Sequence, residues 1–301
     1  MNRWVVLVGF FVLLVGCGPG EVFDGTVTGQ QGVVLSQVQV PQTIYAGEEF
    51  SLTYELANKG AVDVLEEDPG HVSVSFDNLY LQELGVSSRF PDNLFWLNGR
   101  TRYFEGDDAF VNVHFRANDI ERFSNRVSTA VLATVCYPYE SRVVSQVCIG
   151  QDRATDQGSI VCRNTPVRPS SPAAPIGVDS IEVRPGRNTV GGQDVLAPQF
   201  RLSLRNYQGG IPSTGACGSG ASEELNFARI SASLLNERLE CESSAGEGIV
   251  RFSRNTATVV CRLPADSTMI AAGQANFLSL LSVDLEYTYR ESSRTELVVQ
   301  R

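Results

Sequence analysis

Apolar and polar residues alternate with period two in each half of the chain, at nearly one offset, and this narrows the possible folds most. Leu52, Tyr54 and Leu56 alternate with Thr53, Glu55 and Ala57, and the pattern stops at Asn58-Lys59-Gly60. Phe200, Leu202 and Leu204 alternate with Arg201, Ser203 and Arg205, and that pattern stops at Asn206, before Gly209-Gly210. Leu52 to Phe200 is an offset of 148; Val135, Tyr137 and Tyr139 match Leu285, Tyr287 and Tyr289 at an offset of 150. Strands half-buried on one face show this period, and period two alone would permit any even shift. A duplicated unit of about 135–150 residues is therefore expected.

The expected architecture is all-β, with two tandem sandwich domains over 34–165 and 177–301. Long helical periodicity is absent, and many short alternating runs broken by Gly, Pro, Asn and Asp favour packed sheets. The stretch 166–176, opening PVRPSSPAAP, reads as a proline-rich linker that holds the domains apart. A polar turn after Tyr139 and another after Tyr289 are expected to return into the strands Val143–Val147 and Leu297–Val299. Each half opens with a strand, a loop and apolar-x-apolar-x-apolar-x-Asn near a glycine. This resembles the N-terminal strands of immunoglobulin-like domains of cell-surface proteins. Neither half shows the Cys…Trp…Cys core of antibody domains, so the resemblance is to the broad class.

The N-terminus reads Met1-Asn2-Arg3-Trp4 and then an apolar run from Val5 to Val15. That run is too short for a bilayer core, which takes about 20 helical residues, and it has the layout of a secretory signal. Leu14-Val15-Gly16-Cys17 resembles the lipobox of secreted lipoproteins. The resemblance implies a lipid on Cys17 and loss of residues 1–16. The loss removes Arg3 and leaves 23 basic against 34 acidic side chains, a change in net charge from −10 to −11. Residues 17–33 then form the lipidated cysteine and a glycine-rich tether, so the membrane is a partner through Cys17 and the location is extracytoplasmic. An acidic body of this kind is not expected to bind nucleic acid.

Six further cysteines, Cys136, Cys148, Cys162, Cys217, Cys241 and Cys261, fall three to each half. An exported chain meets an oxidising compartment, which favours disulfides. Spacings of Cys-x11-Cys and Cys-x13-Cys are unlike the short knuckles of zinc sites. Six cysteines allow 15 connectivities. Cys136 and Cys148 are symmetric about Arg142 and could staple the expected hairpin. Three cysteines per half leave either one bridge between halves or an unpaired thiol in each. Cys162, beside the linker, is the first candidate for such a bridge, with Cys217 as its partner. The segments Val135–Ser141, Val147–Ile149 and Val161-Cys162, with the later cysteines, are similar to uncharacterised tandem Ig-like surface proteins of archaea. That resemblance brings no activity with it.

The chemistry-bearing motifs are sparse. There is no G-x-S-x-G elbow, no phosphate loop and no H-E-x-x-H. His71 and His114 read as ordinary strand residues. Glu66-Glu67-Asp68 and Glu105-Gly106-Asp107-Asp108 read as turns. No catalytic residue, metal ligand or cofactor is assigned, and no enzymatic activity is expected. The stretch from Asn93 to Phe104 is the candidate partner surface. Asn98-Gly99 favours a two-residue hairpin, which would place Phe95, Leu97, Arg100 and Arg102 on one face. If the other face is core, this one suits a protein or glycan partner in the envelope. The expected role is a non-enzymatic binding, adhesion or envelope-structure module, with an accessory subunit of a transport or secretion complex as the alternative.

Overall fold

The computed structural model describes residues 27–41, 43–120, 124–149, 162–170, 172–218, 225–265, 267 and 277–301. Segment 1–16, Cys17 and residues 18–26 of the tether lie outside the described residues. Every regular element among the described residues is a β-strand. The first half supplies β1 (Val33–Gln39), β2 (Ile44–Tyr45), β3 (Glu49–Asn58), β4 (Gly70–Phe76), β5 (Leu81–Ser88), β6 (Leu94–Phe95), β7 (Asp108–Ala117) and β8 (Arg126–Ile149). The second supplies β9 (Ile176–Arg184), β10 (Arg187–Val190), β11 (Gln193–Leu196), β12 (Gln199–Asn206), β13 (Ile211–Ser213) and β14 (Phe227–Leu234). It continues with β15 (Glu237–Arg238), β16 (Glu240–Ser243), β17 (Gly246–Glu247), β18 (Ile249–Arg251), β19 (Thr256–Arg262) and β20 (Phe277–Gln300).

Two 24-residue strands organise the molecule. β8 and β20 pair antiparallel from end to end, Arg126 opposite Gln300 and Ile149 opposite Phe277. At about 3.3 Å per residue each is roughly 80 Å long. They form the centre of a nine-stranded sheet in which β4 and β6 extend one end and β14 and β15 the other. No turn occurs after Tyr139 or Tyr289: Glu140, Ser141 and Arg142 sit mid-strand opposite Glu286, Leu285 and Asp284. The expected return strands, Val143–Val147 and Leu297–Val299, are continuations of the same two strands. The reason is visible in the side chains. The inward alternation runs on unbroken through Tyr139, Ser141, Val143, Ser145 and Val147, and a partner of equal length completes the ladder. Pro138, which cannot donate to a ladder, lies two residues beyond Cys136, where β4 stops pairing with β8.

Odd-numbered residues of both long strands turn to one face, and that face is covered twice. Toward the Gln300 end it meets the four-stranded sheet β1-β3-β7-β5. There Tyr54 Oη lies 3.0 Å from Thr295 Oγ1, and Leu52, Leu56, Val113 and Phe115 are buried in one core with Val131, Ala133, Leu297 and Val299. Toward the Ile149 end it meets the five-stranded sheet β17-β16-β19-β12-β9. There Ser141 Oγ donates to the Ile176 carbonyl at 3.2 Å, and Phe200, Leu202 and Val259 are buried with Val143, Val147, Val283 and Leu285. Each fully buried side chain of this size contributes roughly 1.5–3 kcal/mol.

Two β-sandwiches are thus present, as the repeat implies, but each half lends the end of its last strand to the other. The stretch 166–176 does not hold them apart. Val167 bridges Ile181, Ala173, Ala174 and Ile176 are buried, and the Tyr139 hydroxyl donates to the Ala173 carbonyl. Two shared strands leave no gap for a spacer, so the proline-rich segment packs into the junction.

Candidate functional site

The offset of 150 found in the sequence coincides with the register of the central pair, since Pro138 lies opposite Thr288. An approximate two-fold relation therefore passes through this pair and brings Tyr137, Tyr139, Tyr287 and Tyr289 together. Tyr139 stacks on Tyr287 at 5.9 Å between ring centroids, and Tyr137 lies 5.8 Å from Tyr289. Burial raises the pKa of all four phenols, so they stay neutral and act as hydrogen-bonding groups. The Tyr289 hydroxyl donates to Asn206 Oδ1 at 2.7 Å and accepts from Gly210 N at 2.7 Å. In the other half the Tyr139 hydroxyl accepts from Ala61 N at 3.1 Å. Asn58 and Asn206, which end the two alternating strands, are both buried and tie down the loops beyond them. In the sequence they marked only strand ends; the Asn-then-Gly pattern repeated in step with the tyrosines was the signal for their buried role.

On the opposite, even-numbered face of the central pair lies a cleft of about 440 Å³. Pro138, Glu140, Glu286 and Thr288 contribute to its lining, with the 62–68 loop of one half and the 214–216 loop of the other. Glu140 and Glu286 are direct cross-strand neighbours, an unfavourable pairing of like charges. Arg229 lies 3.6 Å from Glu286, and Arg142 lies 3.8 Å from Glu140. Arg142 is also held by Asp284 at 2.5 Å, which raises the guanidinium pKa further. With Asp63 and Asp68 on its wall, the cleft presents more carboxylates than guanidinium groups. Asp63 also accepts from Gly99 N at 2.5 Å, which anchors the wall.

The second loop is bolted across the halves by Cys136–Cys217, with Cα atoms 5.6 Å apart. Thr288 Oγ1 secures the same loop by donating to the Ser213 and Gly215 carbonyls at 3.2 and 2.8 Å. The other bridges are Cys148–Cys162 and Cys241–Cys261. An inter-half bridge therefore exists and uses Cys217, but its partner is Cys136 and not Cys162. Cys136 is on the outward face, as its match to Glu286 implies. It cannot reach Cys148, which lies 12 residues along a straight strand rather than across a hairpin. Three bridges mark an extracellular or surface protein, since disulfides persist in oxidising compartments.

The expected partner face does not form. Phe95 and Leu97 are in the core, at 0% and 1% exposure, while Arg100 is half-buried and Arg102 exposed. The register that would align them depends on a hairpin at Asn98-Gly99, and the structure uses these residues otherwise. Asn98 N donates to Asp107 Oδ2, and Asp107 N donates back to the Asn98 carbonyl, both at 3.0 Å. A Cβ on Gly99 would lie 2.8 Å from the Val62 carbonyl carbon, so glycine serves a close backbone approach. β6 pairs with β4, and Leu97 bridges Val64. His71 and His114 are strand residues, in β4 and β7.

A second groove opens where the two covering sheets abut. Glu291 occupies an inward-facing position there, among Tyr207, Gln208 and Gln31. Burial raises its carboxyl pKa, opposed by hydrogen bonds from Gln208 and the Leu35 backbone. Gln208 also donates to the Val33 carbonyl at 2.9 Å, and its Oε1 accepts from Gly32 N at 2.8 Å. Neither Gln208 nor Glu291 stood out in the sequence, because one polar residue at a strand position has no local signature.

No known protein family and no curated protein matches the chain. Among solved structures, one named BspA_C_WT is 9% identical over 89% of this chain and 99% of that chain, with a TM-score of 0.17. The Enterococcus faecalis MSCRAMM ACE, described as binding its ligands by the collagen Hug model, is 12% identical. That likeness covers 91% of this chain and 96% of the other, with a TM-score of 0.12. At such scores neither likeness says anything about what this chain binds.

Proposed function

We propose that this chain is a lipid-anchored extracytoplasmic protein, held by Cys17, that acts as a non-enzymatic binding module. Its partner is an envelope protein or glycan that presents cationic groups to the cleft between the 62–68 and 214–216 loops. The observation that carries the reading is the cleft's construction: its two walls come from different halves, yet a disulfide and two shared strands fix them together. A preformed site of this kind binds without a large ordering cost. The carboxylates Asp63, Asp68, Glu140 and Glu286 outnumber the arginines beside them, which favours a basic ligand. Engagement of Asp63 by Gly99 and of Glu286 by Arg229 supports a structural rather than a catalytic role for these acids.

The anchoring is tested by expressing the full chain and its Cys17→Ser variant in an exporting host. The wild type is expected in the membrane fraction with a lipid mass on its N-terminal peptide, and the variant in the soluble fraction. Retention of Cys17→Ser on membranes would overturn the anchor. The cleft is tested by crosslinking to envelope extracts with wild type and with Thr214→Trp, which fills it from its rim. Capture unchanged by Thr214→Trp would remove the cleft from the reading.

A further inference from the structure

The segment between β6 and β7 displays two aromatic side chains that the core does not absorb. Thr101 and Phe104 bridge in a tight turn, with Thr101 N donating to the Phe104 carbonyl at 2.8 Å. Tyr103 is 89% exposed at its tip and Phe104 is 44% exposed. The Arg102 guanidinium sits 5.7 Å from the Tyr103 ring centroid. Arg100, at the base of the turn, pairs with Glu105 at 3.4 Å. Exposed aromatic and arginine side chains gathered on one turn have the amphipathic character of membrane-interface anchors.

The position of the turn relative to the N-terminal chain supplies the direction. Arg100 N donates to the Gly60 carbonyl at 2.6 Å, and the adjacent Ala61 N donates to the Ala173 carbonyl at 2.8 Å. Ala173 N in turn donates to the Val27 carbonyl at 2.8 Å. Val27, the described residue nearest to Cys17 in the sequence, therefore lies beside this turn. Cys17 and Val27 are ten residues apart, which span at most about 35 Å. A lipid on Cys17 keeps this part of the body close to the bilayer.

We infer that the Arg102–Phe104 turn is a membrane-contact element that seats Tyr103 and Phe104 at the headgroup level of the bilayer holding the anchor. The inference rests on the lipid anchor proposed above. The surface is a zwitterionic phospholipid leaflet, because Glu105, Asp107 and Asp108 flank the turn and oppose an anionic one. Docking here orients the long axis of the shared sheet with respect to the membrane by adding a second point of contact to the lipid.

The test uses the full lipidated chain on phosphatidylcholine vesicles with brominated acyl chains. Tyr103→Trp is compared with Leu79→Trp. Leu79 is 64% exposed on the β4–β5 turn, which follows Phe76 paired to Val131, away from the Pro138–Thr288 crossing. Flotation with the vesicles is measured first. A chain that fails to float overturns the anchor and this inference with it. In a floating chain, Tyr103→Trp is expected to lose about half its added emission and Leu79→Trp almost none, as for a side chain seated in the interface. Equal quenching of the two variants overturns the inference and leaves the anchor standing.

Discussion

Tyr137 and Tyr289 lie side by side across the central strand pair, register partners with ring centroids 5.8 Å apart, yet their hydroxyls serve opposite halves. Tyr137 comes from the first half and donates to the Val33 carbonyl at 3.3 Å; Tyr289 comes from the second and secures Asn206 and Gly210. The rings join the halves and the hydroxyls fix the loops next to the junction.

Removing one oxygen therefore has unequal effects at the two positions. Tyr289→Phe strands the Gly210 N–H and leaves Asn206 Oδ1 only the 3.2 Å bond from Gly209 N, and is expected to cost about 1–3 kcal/mol. Tyr137→Phe loses one long bond and is expected to cost about 0.5–1.5 kcal/mol. Urea denaturation of the two variants checks the order. A smaller loss for Tyr289→Phe would show that its network is dispensable.

The Cys136–Cys217 bridge closes a separation of 81 residues and fixes one wall of the cleft. Replacing both cysteines by alanine is expected to lower stability by roughly 2–4 kcal/mol and to open the 214–218 segment to proteases. Peptide mapping under non-reducing conditions tests the pairing directly. Recovery of a Cys136–Cys148 peptide would refute the straight path of β8.

Glu291 gives the molecule a pH dependence of definite sign. Its folded pKa is raised by burial, so the folded state binds the proton more tightly than the unfolded chain. Its contribution to stability is full below the ordinary carboxylate pKa and is lost as pH rises through the raised value. Glu291→Gln keeps an acceptor for Gln208 and removes the charge. The variant's melting temperature is expected to exceed the wild type's at neutral pH, and to vary less with pH just above the normal carboxylate range. A lower melting temperature at pH 7 would show that the Gln208 bond outweighs the burial.

The residues that alternate were legible because burial on one face writes itself into period two. Leu52, Tyr54 and Leu56, and the tyrosine pairs at an offset of 150, are core positions in the sheets where the pattern put them. What the alternation could not convey is whether a strand turns or continues at a polar residue. Ser141 reads as a turn in isolation, yet it is an inward residue whose hydroxyl finds the Ile176 carbonyl. The same ambiguity produced the false hairpin at Asn98-Gly99, where a glycine kept for close packing looks like a glycine kept for φ. Disulfide partners and the cleft follow from the strand path and were out of reach until it was known.

The exchange of strand ends makes a further prediction about divisibility. A chain ending at residue 165 would carry β8 beyond Tyr139 with no sheet to cover it. Tyr139, Val143, Val147 and Ile149 are all at most 3% exposed in the intact molecule. Uncovering these four at roughly 1.5–3 kcal/mol each removes about 6–12 kcal/mol, comparable with the whole stability of a typical domain, about 5–15 kcal/mol. The fragment 27–165 alone, and 166–301 alone, are therefore expected to be insoluble or unfolded. Mixed during refolding, they are expected to recover one cooperative thermal transition. A soluble 27–165 fragment with its own sharp transition would show that the first sandwich closes without β20, and that the repeat is two domains after all.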